Sequence, residues 1–404
     1  MKKTFALICN LLLLSSVATP QAPSGTQTPV VLTHVTVIDT TGGPAQSDVT
    51  VVIRGERIVE MGKSGEIRVP AESRIVNATG KFLIPGFWDM NVYWYDPPAY
   101  LALFIANGVT GVREGEGYAE DRQMRDEIEA GRLLGPRMVV PTRWITDVRV
   151  PAPNWGAASG ILASNAEQAR EVIRAAKQYG ADFLQLGGTE DVSRDAFFAL
   201  ADEAKKRGIP IEGHVPASVT VEEASNAGLK SIDDVPSKLD VEILPACSSH
   251  EQELLKLWQE AIARRFAPEH SETPTARRAA YRARMQLALD TYDPRKAEAL
   301  FARLEANHTW LCPTLTAQRN SAGPPLDSDP HLKYVSPANR NWWDENPYWL
   351  SRDKSAEDDA TRERVYQKYL EIIGAARRAG VGILAARQGK NLTLMFRVSA
   401  CTMS

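Results

Sequence analysis

The stretch LIPGFWDMNVYWYD, residues 83–96, decides how the rest of the chain is read. A short apolar strand runs into Pro85-Gly86 and resumes toward Asn91, Val92 and Tyr93. Alternate residues of a strand lie on one side, so Asn91 and Tyr93 are expected to share a face. Imidazoles at those two positions would grip one cation, but the chain holds an amide and a phenol there.

Outward from this strand the pattern alternates short apolar runs with amphipathic helices, the signature of parallel βα units. FLIPGFWDM is followed by the helix AYLALFIANG, and GVTGVR by DRQMRDEIEAGRL. PRMVVP leads to AEQAREVIRAAKQYG, DFLQLG to RDAFFALADEAKKRG, and PIEGH to VEEASNAG. SIDDV precedes a helical insertion over roughly 250–292 and the helix PRKAEALFARLEAN. WLCPTLT leads through a long excursion to YQKYLEIIGAARRAG, and VGILA follows. The fold class expected is α/β, a (β/α)8 TIM-like barrel over residues 82–385, because parallel strands joined by right-handed crossovers close at eight. Its last helix is missing. Residues 30–80 read differently, as β-branched strands broken by Thr41-Gly42-Gly43 and Arg54-Gly55. Hairpins of this kind need partner strands to bury a face, so a small, incomplete N-terminal β-sandwich is expected.

At 404 residues the chain has room for a barrel and a satellite, and 44% hydrophobic with 24% charged residues is ordinary globular composition. A net charge of −3 leaves no basic footprint for nucleic acid. Residues 1–22 read as a signal peptide: Lys2-Lys3, the apolar run FALICNLLLLSSVA, and the small residues Ser16-Val17-Ala18 as a cleavage site. Export to a periplasm or outside the cell is therefore expected, with no membrane contact beyond that segment. Without the leader, Cys247, Cys312 and Cys401 remain, a set too sparse for a disulfide framework.

The motifs LIPGFWDM, LFIANGVTGVR, GPRMVV, GADFLQL, ADEAKKRGIPIEGHVP, EEASNAGLKSID and WLCPTLT together resemble the imidazolonepropionase-like branch of the amidohydrolase superfamily. The resemblance covers about residues 30–385. It implies metal-dependent hydrolysis of amide or other C–N bonds in small, non-peptide or short-peptide substrates. It also implies one or two divalent ions, zinc above all, at the C-terminal ends of the barrel strands. Such an ion lowers the pKa of a bound water and polarises the scissile carbonyl.

The ligand set implied by the resemblance is His-x-His on the first barrel strand, often Lys on the fourth, His on the fifth, His on the sixth and Asp on the eighth. This chain departs from it nearly everywhere. Asn91 and Tyr93 replace the paired imidazoles, Gln185 stands where Lys is common, and Asp234 replaces the sixth-strand His. Only His214, in Gly213-His214-Val215-Pro216, is retained. The eighth-strand Asp is absent, since the chain reads Ala385-Ala386-Arg387-Gln388, and with it goes the catalytic acid and base. A structural zinc site is worth about 10–16 kcal/mol over four ligands, so each lost ligand removes about 3 kcal/mol. Tight metal binding is not expected. His214 and Asp234 with Gln185 or Asn91 could hold a hard, oxygen-preferring ion weakly.

The aromatic residues Trp94 and Tyr95 are candidates for lining a small-molecule pocket in the barrel mouth, which would make the chain a binding pseudoenzyme. Asp233-Asp234 are adjacent on a strand and expected to face opposite ways rather than share a proton. Cys247-Ser248-Ser249-His250 sets nucleophile types beside a base, but adjacency in sequence does not give triad geometry.

Residues 386–404, ARQGKNLTLMFRVSACTMS, match nothing in the family pattern. Read one base out of register from the Ala385 codon, their codons permit GTAGKEPYVNVPGFSLHDE, which resembles the family's continuation without its Asp. A frameshift near Ala385 is the expectation, with a decayed gene product as its extreme consequence.

Overall fold

The structure, a computed structural model, describes residues 28–93, 97–146, 160–187, 192–235, 242–266, 273–315 and 355–386. Residues 1–27, where the signal peptide is expected, Trp94 and Tyr95, and the residues from Arg387 on lie outside the described residues. The chain divides into two compact units, Met1–Pro85 and Gly86–Ser404.

The first unit is one sheet. Its strands are β1 (Val30–Val37), β2 (Gln46–Arg54), β3 (Arg57–Lys63), β4 (Arg74–Asn77) and β5 (Phe82–Leu83). β1, β2 and β3 form the expected antiparallel meander, and β4 and β5 pair parallel with β1. The turn between β2 and β3 uses Gly55 at φ +60°, a conformation that costs glycine little. Val35, Val37, Val49, Val51 and Ala78 form a small core. Ile58, Val59, Ile75 and Phe82 remain exposed, so one sheet cannot cover its own apolar residues.

The second unit begins with β6 (Phe87–Val92), α1 (Pro97–Ala106), β7 (Val109–Glu114), α2 (Ala119–Glu129) and β8 (Arg137–Val139). β9 (Trp144–Thr146), β10 (Gly160–Leu162), α3 (Ala166–Gln178), β11 (Leu184–Leu186), α4 (Arg194–Arg207) and β12 (Ile211–Gly213) follow. Then come α5 (Val221–Ala227), β13 (Leu229–Asp233), α6 (Ile243–Ala246), α7 (Glu251–Phe266), α8 (Pro274–Asp290), α9 (Pro294–Ala306), β14 (Trp310–Cys312) and α10 (Ala356–Arg378). The βα alternation read from sequence is realised from β6 to α10, with two corrections: Phe82–Leu83 pairs with β1 in the first sheet rather than opening the first barrel strand, and VGILA, expected as the eighth strand, holds only an isolated bridge at Ile383. The helix ends follow local chemistry: Thr220 and Glu223 make a capping box at α5, and Gly208 ends α4 at positive φ.

All strand pairs in this unit are parallel. β6, β7 and β8 form one sheet, and β10, β9, β11, β12, β13 and β14 form another in that order. A parallel bridge from Pro141 to Phe183 continues the first sheet toward β11, and another joins Leu311 to Ile383. Met90 N–H donates to the Ala385 carbonyl at 3.0 Å, linking β6 to the segment after α10. β9 and β10 were not expected. β9 prolongs the course of β8 past Pro141, and the three-residue β10 pairs alongside it.

Because such strands are covered on both faces, they read as nearly continuous apolar runs. Ile145, Leu184, Leu186, Ile211, Ile232 and Leu311 are buried from the strands, and Phe197, Leu200, Phe301 and Ile372 from the helices. Against this apolar background, buried polar residues concentrate at and just beyond the C-terminal ends of the strands: Asn91, Glu114, Gln185, Asp233 and Asp234.

Candidate functional site

Asn91 sits near the end of β6, His214 just after β12, and Asp234 just after β13. The structure brings these three sequence candidates together. Asn91 Nδ2 donates to Asp234 Oδ1 at 2.5 Å, and His214 Nε2 stands 3.7 Å from Asp234 Oδ2. His214 is aimed by a glycine. Gly213 lies at φ +113°, and a Cβ there would come within 2.5 Å of the Leu186 carbonyl oxygen. Any other residue would force β11 and β12 apart.

Asp233 and Asp234 correct the simple alternation expected for adjacent strand residues. Asp234 has φ +56°, which ends the pleat, and both carboxylates are buried. They still serve separate partners. Asp233 bonds to Arg113, while Asp234 bonds to Asn91 and faces His214.

Tyr93 is buried and meets Trp144 edge to face at 6.2 Å between ring centroids. Its ring lies over Gly115, where a Cβ would approach within 2.7 Å. Burial raises its phenol pKa well above the ordinary value, and the charges of Asp234, Asp233 and Glu116 add to this. The hydroxyl therefore stays protonated at any ordinary pH. Gln185 is buried on β11, and its Oε1 has no hydrogen-bond partner.

His214 has a carboxylate at each ring nitrogen. Glu242 Oε1 lies 3.0 Å from Nδ1 and also accepts the Val215 N–H at 3.1 Å. Burial opposes the charged imidazole, but the charge of Glu242 and its bonds with Glu242 and Asp234 outweigh burial. The His214 pKa is held well above its usual range. A neutral ring donates from one nitrogen only, so the doubly protonated ring suits this geometry best.

One layer below, Arg113 of β7 crosses the interior. Its Nε donates to the Met90 carbonyl at 2.6 Å, Nη1 to Ser231 at 2.8 Å and to Glu212, and Nη2 to Asp233 at 2.7 Å. Burial works against this guanidinium, yet the charges of Asp233 and Glu212 raise its pKa. One side chain thus ties β6, β7, β12 and β13 directly beneath the His214 and Asp234 layer. Glu114, at the end of β7, accepts the N–H groups of Glu116 at 2.7 Å and Gly117 at 2.6 Å. Burial first, and then Asp121, raise its pKa well above the carboxylate range.

Arg113, Glu212, Glu242 and Glu114 were not candidates from sequence. The only signal was a charged Arg-Glu pair ending an otherwise apolar strand in GVTGVRE. The Cys247 thiol is buried and its pKa is pushed up to about 12, by burial first and then by Glu251. It is not a poised thiolate nucleophile.

The donor chemistry can be set against a metal. A catalytic zinc takes about three protein ligands. The convergent set offers one imidazole nitrogen and one carboxylate, His214 and Asp234. Asn91 turns an N–H toward that carboxylate, and Tyr93 is a protonated phenol. Among the described residues no group of three or more His, Cys, Asp or Glu is placed to hold a metal ion. The Glu242 carboxylate behind His214 does match the outer partner that ligating imidazoles ordinarily have. The first coordination sphere itself does not fit zinc.

The fold is that of the amidohydrolases. It is similar to bottromycin amidohydrolase, at 18% identity and a TM-score of 0.64 over 90% of this chain and 70% of that one. It is also similar to a Xaa-Pro dipeptidase with bound methionine in its active site, at 16% and 0.55 over 92% of this chain and 84% of that one. Ochratoxinase of A. niger matches at 14% and 0.54, over 92% of this chain and 79% of that one. At these identities the likeness is one of fold. No protein-family model matches the chain, and no curated protein matches it.

Proposed function

We propose that the chain descends from the imidazolonepropionase-like amidohydrolases, with an ancestral metal-dependent hydrolysis of amide or other C–N bonds, and that this copy is inactive or nearly so. The observation that carries the reading is the Asn91–Asp234–His214 contact. Side chains at three ligand positions hydrogen-bond or face one another, and their donors and acceptors are turned to each other rather than to a shared cation.

In this reading Arg113, Glu212 and Asp233 hold the strands in register. The Pro141–Phe183 and Leu311–Ile383 bridges and the Met90–Ala385 bond join the two parallel sheets into the eight-stranded barrel. The five-stranded N-terminal sheet is, in this reading, half of a sandwich. The exposed Ile58, Val59, Ile75 and Phe82 support that view. Zinc, where it binds at all, binds weakly. Export follows from the leader.

The test panel takes Xaa-Pro dipeptides from the dipeptidase neighbour's name, and other short peptides and cyclic amides from the family resemblance. Purified full chain should give no turnover above the buffer blank with added zinc, manganese or cobalt. Saturable turnover that disappears in His214→Ala would overturn the assignment.

A second reading, a small-molecule-binding pseudoenzyme, is favoured by Gln185 Oε1 and Thr314 Oγ1. Both are buried without a partner, and both belong to residues at or just past the C-terminal ends of strands. Buried polar atoms normally have partners, so a ligand offering donors would complete them. Saturable binding without turnover separates this reading from simple decay.

A further inference from the structure

The strands of the second unit pair in parallel, so the ends at which they begin lie together. This end is opposite the one that carries Asn91, His214 and Asp234. Exposed apolar side chains gather there. Phe87 and Trp88 open β6, Leu133 and Leu134 lie in the loop before β8, Tyr179 follows α3 ahead of β11, and Trp310 opens β14. Among the described residues of this unit, Leu370 on α10 is the one large apolar side chain exposed elsewhere.

Two of the rings are fixed in place. A Cβ on Gly111 would collide with the Trp88 ring, and one on Gly382 with the Trp310 ring. Gly382 accepts the Leu311 N–H at 2.9 Å, and Ala385 accepts the Met90 N–H at 3.0 Å. The segment at Gly382 thus runs between β14 and β6, with an indole on each side. Leu134 and Tyr179 stand freer, at 72% and 68% exposed.

Cations collect at the same end, because helices finish where the strands begin and basic residues favour helix C-termini. Lys177 is in the last turn of α3, Lys205 in that of α4, and Arg377 and Arg378 in that of α10. Arg137 opens β8, and Lys230 is the second residue of β13. All six are exposed, and none has an ion-pair partner among the described residues. Against them stand Glu129 and Glu305, exposed acids that are also unpaired. In a chain of net charge −3, positive charge is segregated here. Indole and phenol rings set among cations suit the boundary between lipid headgroups and acyl chains. No helix among the described residues is long and apolar enough to cross a membrane, so the contact is one of surface.

We propose that this end of the second unit rests on an anionic lipid surface, with Trp88, Trp310, Leu134 and Tyr179 entering the headgroup layer and the unpaired lysines and arginines meeting lipid phosphates. This departs from the expectation of no membrane contact beyond residues 1–22. It uses none of the residues at the opposite strand ends, so its failure would leave the reading of the lost metal site untouched.

The test mixes the full chain with vesicles of phosphatidylglycerol and phosphatidylcholine in equal parts, with pure phosphatidylcholine as the neutral comparison. Co-sedimentation should show binding to the anionic vesicles that weakens as salt rises, and little binding to the neutral ones. Hydrogen exchange of the unmodified protein should slow at residues 131–135 and 177–181 when anionic vesicles are present. Lys177→Gln/Lys205→Gln/Arg378→Gln should weaken binding about a hundredfold, at about fivefold per cation. Leu134→Ser/Tyr179→Ser keeps every charge and should weaken it at least about tenfold. Residues 1–22 are the same in every protein, so a difference between variants reports on this face.

No binding, equal binding to neutral vesicles, or undiminished binding in either folded variant would overturn the proposal. Slowed exchange confined to residues away from this face would overturn it even if neither variant folds. A dimer formed without lipid and protected at these same residues would give the face to a second copy, and would overturn it equally.

Discussion

Replacing Arg113 by Met should damage the protein more than almost any other single change in the second unit. The side chain is 3% exposed and gives hydrogen bonds to Met90, Ser231, Glu212 and Asp233. Met fills most of the volume but leaves Asp233, 1% exposed, and Glu212, 18% exposed, without their cation. Breaking one side of a buried ion pair costs about 3–5 kcal/mol. Native stabilities are about 5–15 kcal/mol, so R113M should unfold at clearly lower denaturant.

The same reasoning makes a second demand. If uncompensated charge is the cause, neutralising both acids in R113M/E212Q/D233N should recover at least about half of the loss, because a buried charge network replaced as a whole is often near neutral. Guanidinium melts by fluorescence, extrapolated linearly to water, give the numbers for all three proteins. A loss under about 1 kcal/mol in R113M would refute the reasoning. A triple variant no more stable than the single one would refute it equally, because it would assign the damage to packing rather than charge.

Further expectations follow from the same geometry. His214 has a folded pKa raised above its unfolded value, so its stabilising contribution should be complete below about pH 6.5 and lost as pH rises through the folded pKa; the slope should vanish in His214→Gln, and a slope that persists there would contradict it. In Glu242→Gln the His214 pKa, followed by imidazole NMR, should fall, and an unchanged titration would remove Glu242 from its control. Restoring the paired imidazoles in Asn91→His/Tyr93→His should raise zinc affinity by about two orders of magnitude per ligand, at about 3 kcal/mol each; calorimetry showing no gain would mean that the strand geometry has also drifted. Threonine at Ile58 and Phe82, which are 60% and 67% exposed, should increase the soluble fraction on expression, and no change would argue against an uncovered N-terminal sheet. Genomic sequence through the Ala385 codon should continue into family-like residues in the shifted frame, and an intact frame there would end the frameshift idea.

The succession of parallel strands was legible because buried parallel strands and amphipathic helices write different periods into the chain. β9 and β10 were not, because three-residue pieces such as Trp144–Thr146 and Gly160–Leu162 carry too few residues to show a period. The reading of Asn91, Tyr93, Gln185 and Asp234 as substituted ligand positions rests only on resemblance, which supplied the residues expected there. The contacts these side chains and their neighbours make were not legible. Arg113 finds its carboxylates 99 and 120 residues away, and Glu242 lies in a stretch whose apolar neighbours suggest ordinary core. Strand alternation failed at Asp234 because a positive φ re-aims the side chain, and nothing local in SIDDV announces that turn.

The central claim is that the side chains at the strand ends no longer form a zinc site. Purified full chain, incubated with excess zinc and dialysed free of unbound metal, should hold well under one zinc per molecule by elemental analysis. One or two zinc ions per molecule, retained through dialysis and lost in His214→Ala, would contradict the account.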